Sequence, residues 1–299
     1  RVGVCRMIDK RLRRHELGFL EVADRPTAEE LADYYANNYY QFEKGNYRES
    51  YPAEELEVIG LNIAQRIAHA ASFCAYNGPG RFLDVGCGEG FVLAAMASKS
   101  WQVEGIDHSI SGVEALNPRM LPHVQQGDLF RLLEDRINRG VAYDLVWLGN
   151  VLEHVLDPVG LLNSLRGLVA EGGLLVCTVP NDGNAYHERL LADRLIDGRF
   201  WIAVPDHMSY FTVDSLTRLV EATGWICRDV QGDFPVDFFL AHEGSNYVTN
   251  PGKGRAAHQA RLRLEYLIGV AGETNANQFY SALAGVGLGR NITAYLSPS

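Results

Sequence analysis

The sequence predicts a doubly wound α/β fold, in which short parallel strands alternate with crossover helices and ligands gather at the carboxyl ends of the strands. Three observations carry this. From Arg81 onward, short apolar runs alternate with stretches of helical period. The first run ends in a glycine-rich turn that opens a helix, Leu83-Asp84-Val85-Gly86-Cys87-Gly88-Glu89-Gly90. Acids, Asp107 and Asp128, close the next two runs.

The elements follow in chain order. Residues 1–77 hold no convincing strand and read as an N-terminal helical lid. Thr27 is placed to cap a helix through Glu29, Leu31, Tyr34 and Tyr35. A second helix is expected from Pro52 to about Phe73, with Leu56, Ile59, Ile63, Ile67 and Ala70 on one face. Gly78-Pro79-Gly80 then marks the change of pattern. Strands are expected over 81–85, 102–106, 123–126, 143–148 and 174–179. A helix over 212–223, capped by Thr212 and stopped by Gly224, precedes a strand over 225–230, and 291–296 supplies a seventh. The segments 181–209 and 232–290 break the alternation, and such insertions commonly build substrate pockets. The division is therefore a lid, 1–77, and an α/β domain, 78–299, that carries both insertions.

Composition limits the function classes. The 299 residues are 47% hydrophobic and 21% charged, ordinary for a globular chain with a sizeable core. No run reaches the roughly 18–20 apolar residues of a membrane span, and Arg1 to Arg14 lead into no signal-like apolar stretch. The net charge of −10 disfavours a nucleic-acid partner. The cluster Lys10-Arg11-Leu12-Arg13-Arg14 is better read as a solvated terminal segment than as a nucleic-acid arm. Five scattered cysteines with no CxxC pair argue against a disulfide framework and a zinc cluster, and fit a cytoplasmic protein.

In the glycine turn the spacing is informative. It is GxGxG with Asp84 two residues before it, not the GxGxxG that a pyrophosphate requires, which argues against a nicotinamide-dependent dehydrogenase. Backbone N–H groups and the helix start favour a polar ligand, and Asp84 suits a ligand amino group. Asp107 lies 23 residues after Asp84, the spacing expected of an acid that bonds ribose hydroxyls; alone it would be a helix cap. Asp128 could accept from an adenine amino group with Leu129 against the ring, or simply make a turn.

These motifs together resemble class I S-adenosylmethionine-dependent methyltransferases over about residues 81–230. The resemblance implies a Rossmann-like seven-stranded sheet with its last strand antiparallel. It also implies S-adenosylmethionine as cofactor and S-adenosylhomocysteine as product. The implied cofactor set is Asp84, Gly86, Cys87, Gly88, Gly90, Asp107, His108, Asp128, Leu129 and Asn150, with Tyr39 from an aromatic cluster in the lid. The run Asn150-Val151-Leu152-Glu153-His154-Val155 is similar to ubiquinone-type and sugar- or polysaccharide-tailoring O-methyltransferases, and lacks the Asn/Asp-Pro-Pro-Tyr pattern of base-modifying enzymes. His154 is either the general base for a hydroxyl acceptor or a residue that shapes the loop. His207, in Pro205-Asp206-His207-Met208-Ser209-Tyr210-Phe211, is the second catalytic candidate, with Tyr210 beside it and Phe211 packing the sheet. His187 reads as a solvated helix residue.

Glu153, His154 and Asp157 share one helical turn, too little for a metal site, and none is expected. The function expected is methylation of an oxygen on a small polar acceptor such as a sugar or glycan precursor. N- or C-methylation of another small molecule, or cofactor binding without catalysis, remain as alternatives. The aromatic insertions could close a pocket or support a homodimer.

Overall fold

The computed structural model describes residues 9–27, 29–31, 50–75 and 78–299. Seven strands form the central sheet. They are β3 (Arg81–Val85), β4 (Gln102–Asp107), β5 (Val124–Gln126), β6 (Tyr143–Gly149), β7 (Val169–Pro180), β9 (Trp225–Gly232) and β10 (Asn291–Pro298), in the order β5-β4-β3-β6-β7-β10-β9. The first five run parallel and β10 runs antiparallel to both neighbours, as the resemblance implies. Strand order reverses between β3 and β6, so the crevice at their carboxyl ends lies at the topological switch point.

Both faces are covered because the central strands are apolar on both sides, the pattern of buried parallel strands. On one face Leu83, Val85, Val146 and Leu148 pack against Leu133 of α4 (Leu129–Asn138), Leu161, Leu162 and Leu165 of α5 (Pro158–Arg166), and Leu216, Leu219 and Val220 of α7 (Val213–Ala222). On the other, Phe82, Leu145, Trp147 and Tyr295 meet Ala70 of α1 (Ala53–Ala71) and Leu93 and Met96 of α2 (Phe91–Ser98). The short α3 (Ser111–Leu116) follows β4, and α7 starts at the expected Thr212 cap, which forms a capping box with Ser215. The 181–209 segment contains α6 (Ala185–Ala192). The 232–290 segment contains α8 (Gly254–Val270) and α9 (Glu273–Gly285), which pack on α1 and on β9 respectively. No described helix is long and apolar enough to cross a membrane.

The expectation of no strand in residues 1–77 needs correction. Thr27 does start a helical turn, its Oγ1 accepting from the Glu30 N–H at 3.1 Å while Glu30 reaches back to its N–H. Before it, however, β1 (Leu12–Arg14) and β2 (Leu20–Val22) form a hairpin, and β2 pairs with β8 (Ser209–Tyr210). Strands of two or three residues are too short for a period of two to show in sequence. The arginines of the basic cluster stay exposed along this small sheet, where Arg13 bonds Glu21 at 2.7 Å and Arg14 bonds the Gly18 carbonyl at 2.9 Å. Its core is Leu12, Val22, Leu31, Met208 and Tyr210.

Candidate active site

The glycine loop leaves β3 at the switch point. Gly86, Gly88 and Gly90 all have positive φ, and Gly90 ends the loop in the left-handed region as the N-cap of α2. At Gly86 the need is also steric: a Cβ would overlap Cγ2 of Val151, from the turn after β6. The loop is tied to β4 by Gly86 and Cys87 N–H bonds to the Ile106 carbonyl and by a 2.8 Å bond from the Gly88 N–H to Asp107 Oδ2. Asp107 Oδ1 takes the Ser109 N–H at 3.0 Å, so this carboxylate braces two loops rather than capping α3, whose N-cap is Ile110.

Two acids lie buried at the base of the loop. Burial first, and the charge of Asp107 second, push Asp84 up to about 8. Burial also raises Asp107 despite its N–H donors. The Cys87 thiol is raised far by burial and packs as an inert apolar group. Asp128 is exposed and caps α4 by accepting from the Arg131 N–H at 2.9 Å, while Leu129 packs partly into the core. His108 is exposed, and its carbonyl accepts from Gln126. Asn150 turns the chain after β6 with a left-handed φ of 54° and bonds the Thr178 carbonyl through its N–H. Tyr39 lies outside the described residues, as does Cys5. Two desolvated carboxylates at the base of a glycine loop suit the ammonium and ribose of S-adenosylmethionine. In such a fit Asp84 would face the amino group and Asp107 the ribose.

The second half of the site is a histidine cluster. The 203–209 loop latches onto the turn after β6, the Met208 and Ser209 N–H groups bonding the Glu153 carbonyl at 2.7 and 3.0 Å. In return the Asp206 carbonyl lies 2.8 Å from His154 Nδ1. A carbonyl only accepts, so Nδ1 carries the proton and Nε2 is the basic nitrogen. His207 packs edge-on to His154, ring centroids 4.9 Å apart, with its Nδ1 3.6 Å from Asp182 Oδ2. Donor atoms of Glu153, His154 and His207 lie within 4.8 Å of one another, a spacing that a divalent cation could also span. Glu153 is 1% exposed, and burial pushes it up to about 8.

The histidines are driven apart. Burial, then His207, lower His154. Burial opposes the charge on His207 too, but Asp182, Glu153 and Asp206 outweigh it and raise His207.

Asp182, Arg290 and Asp237 lie in no local motif that marks them. Asp182 is buried in the turn after β7 and bonds Arg290 at 3.2 Å, a residue 108 positions away in sequence. Arg290 also approaches Asp237 at 3.9 Å. His187 is not a solvated helix residue: it is 0% exposed, bonds Asp237 at 2.8 Å and stacks on Trp201. Its helix turns inward because the two insertions pack on each other, which no local pattern encodes. Phe211 is buried in the core, as its place in the sequence suggests.

A glycine-cradled loop at the switch point of a doubly wound sheet, with acids ending the second and third strands, defines the class of S-adenosylmethionine-dependent methyltransferases. Comparison agrees. A family model described as a methyltransferase domain matches residues 60–229, more than half of the chain, and the chain belongs to that family. A ubiquinone biosynthesis O-methyltransferase of Aeromonas salmonicida is 30% identical over 51% of this chain and 65% of its own length. One of Shewanella halifaxensis is 28% identical over 60% and 75%. The chain thus spans slightly under two thirds of the first of these relatives.

Among solved structures, a SAM dependent methyltransferase from Archaeoglobus fulgidus shares the fold at a TM-score of 0.50 and 16% identity, over 79% of this chain and 93% of its own. A 1,6-didemethyltoxoflavin-N1-methyltransferase from Burkholderia thailandensis, solved with S-adenosylhomocysteine, does so at 0.50 and 14% over 96% and 99%.

Proposed function

We propose that this chain transfers the methyl group of S-adenosylmethionine to a hydroxyl oxygen of a small polar acceptor, a sugar or glycan precursor, with His154 as general base. The observation that carries the reading is the fixed tautomer of His154 at the carboxyl edge of β6. When bound, the cofactor supplies a methyl group on a sulfonium, which an oxygen nucleophile displaces in line. The chain's part is to align the two reactants. The glycine loop and Asp84 hold the methionine end, Asp107 the ribose, and Asp128 with Leu129 the adenine. His154 Nε2 takes the hydroxyl proton as the oxygen forms its bond to carbon and the carbon–sulfur bond breaks. Burial first, and His207 second, favour the neutral form of His154 that can accept a proton. Cys87, Cys177 and Cys227 are free thiols, which suits a reducing, cytoplasmic setting. A homodimer through the insertions belongs to the same proposal.

The test is label transfer from S-adenosylmethionine into cell extract fractionated into polar metabolites, lipid, polysaccharide, nucleic acid and protein, with Asp107→Ala as blank. Label in the sugar or polysaccharide fraction, retained in EDTA, is the expected result. Label only in protein or nucleic acid would remove the acceptor assignment. Loss on chelation with rescue by a divalent ion would give the histidine cluster to a metal instead of a proton.

A further inference from the structure

A cavity of about 420 Å³ opens between the start of α1 and the 232–290 segment, walled by Tyr51, Glu55, Tyr247, Ala257, His258 and Arg261. Its two tyrosines tie it to both halves of the site. The Tyr51 hydroxyl donates to the carboxylate of Glu89 at 2.9 Å, and Glu89 sits between Gly88 and Gly90 of the cofactor loop. The Tyr247 hydroxyl donates to Asp237 at 2.8 Å. From Asp237 the contacts run through Arg290 to Asp182 and so to His207.

The polar wall has defined chemistry. Arg261 only donates, so His258 Nδ1 accepts its 3.3 Å bond. The other ring nitrogen then carries the proton and faces Glu55 at 3.3 Å. The wall thus carries the guanidinium of Arg261 and the carboxylate of Glu55. The nearest counter-charge on the arginine's own helix, Glu265, lies 3.7 Å away and is pushed by burial up to about 7. Nη2 of Arg261 meets His258 and Nε faces Glu265, which leaves Nη1 for an anion in the cavity. Beside it, Tyr51, Tyr247 and Ala257 offer apolar faces, and Glu55 offers a hydroxyl acceptor. Aromatic faces with a carboxylate suit a polyhydroxylated ring, whereas an aromatic acid would place its electron-rich face against Glu55.

We propose that this cavity is the acceptor-recognition site and that it takes a pyranose bearing a carboxylate, with Arg261 on the carboxylate and Glu55 on a ring hydroxyl. This rests on the oxygen-methylation reading and narrows its substrate to acidic sugars. The test is titration of D-glucuronate, D-glucose and benzoate into the protein, with and without saturating S-adenosylhomocysteine, for wild type, Arg261→Gln and Arg261→Lys. Glucuronate should bind wild type about tenfold or more tighter than glucose or benzoate, the range for a charge-assisted pair. Arg261→Gln should erase that preference, Arg261→Lys should keep part of it, and S-adenosylhomocysteine affinity should stay constant. Equal binding of glucose, equal binding of benzoate, no binding of any probe, or a preference that survives Arg261→Gln would each overturn the assignment. Failure of S-adenosylhomocysteine to bind is visible separately and would count against the methyltransferase reading rather than the pocket.

Discussion

Asp84 is kept protonated in the free protein by burial and by the nearby charge of Asp107. An ammonium group brought against it favours the ionised form. Binding of S-adenosylhomocysteine near pH 7 should therefore release a proton, read as a dependence of the calorimetric enthalpy on the ionisation enthalpy of the buffer. The release should fade as pH rises past about 8, where the free acid is already ionised, and Asp84→Asn should abolish it. A buffer-independent enthalpy in the wild type would remove the amino-group assignment. The histidines give a second expectation. His154 is lowered, so the acid limb of kcat should lie below the ordinary histidine value near 6.5. His154→Gln should flatten that limb and reduce kcat by about 100-fold or more. His207 contributes to holding His154 down, so His207→Gln should move the limb to higher pH. An unmoved limb would show that the two rings are not coupled.

The β1–β2 hairpin is the element whose role was least legible in the sequence, and it positions the loop of His207. The Val22 N–H bonds the Met208 carbonyl at 3.0 Å, and Arg25 bonds the Leu156 carbonyl at 2.7 Å. One hairpin thus grips the loop of His207 and the turn of His154 together. Val22 is buried, and Val22→Ala should cost about 1–3 kcal/mol of stability. It should also lower kcat several-fold while S-adenosylhomocysteine affinity, measured by calorimetry, stays within twofold. An equal loss in both would make the hairpin a general support only. The longer elements were readable because their signals are local. The helix after Thr212 has its cap and its glycine stop within one stretch, and β3 through β7 are apolar runs of five or more residues or sit beside acids at fixed spacing. Asp107 and the glycine loop were readable for the same reason. Asp182, Asp206 and Arg290 were not, because they act through partners 25 to 108 residues distant that only the packed insertions bring together. His154 could be named as a base from its run, but its tautomer depends on a carbonyl 52 residues later.

Across the whole molecule, the 232–290 insertion must hold a fixed position over α1 if the acceptor cavity between them is to present a ring to the methyl donor. A polar seam sets that position. His69 of α1 bonds Asp229 of β9 at 2.7 Å, and Ser281 of α9 donates to the same carboxylate oxygen at 2.7 Å. Gln65 of α1 meets Gln231 of β9 at 2.9 Å and also reaches Asn277 of α9. Burial alone would raise Asp229, but the His69 and Ser281 bonds outweigh it and hold the group below its ordinary value. A depressed acid contributes stability that is present above its unfolded value and lost as pH falls through its folded one. Asp229→Asn should therefore destabilise the protein at pH 7 by about 1–3 kcal/mol, the range for a hydrogen-bonded charge, and the difference from wild type should shrink below pH 4. The group is half-buried, so solvent screening places the cost toward the lower end of that range. Because the seam lies under the insertion and away from the glycine loop, the same change should raise the acceptor KM several-fold and leave cofactor affinity intact. A weakened cofactor with an unchanged acceptor KM would mean that α1 and the insertion serve the glycine loop, and that the cavity between them is not where the acceptor sits.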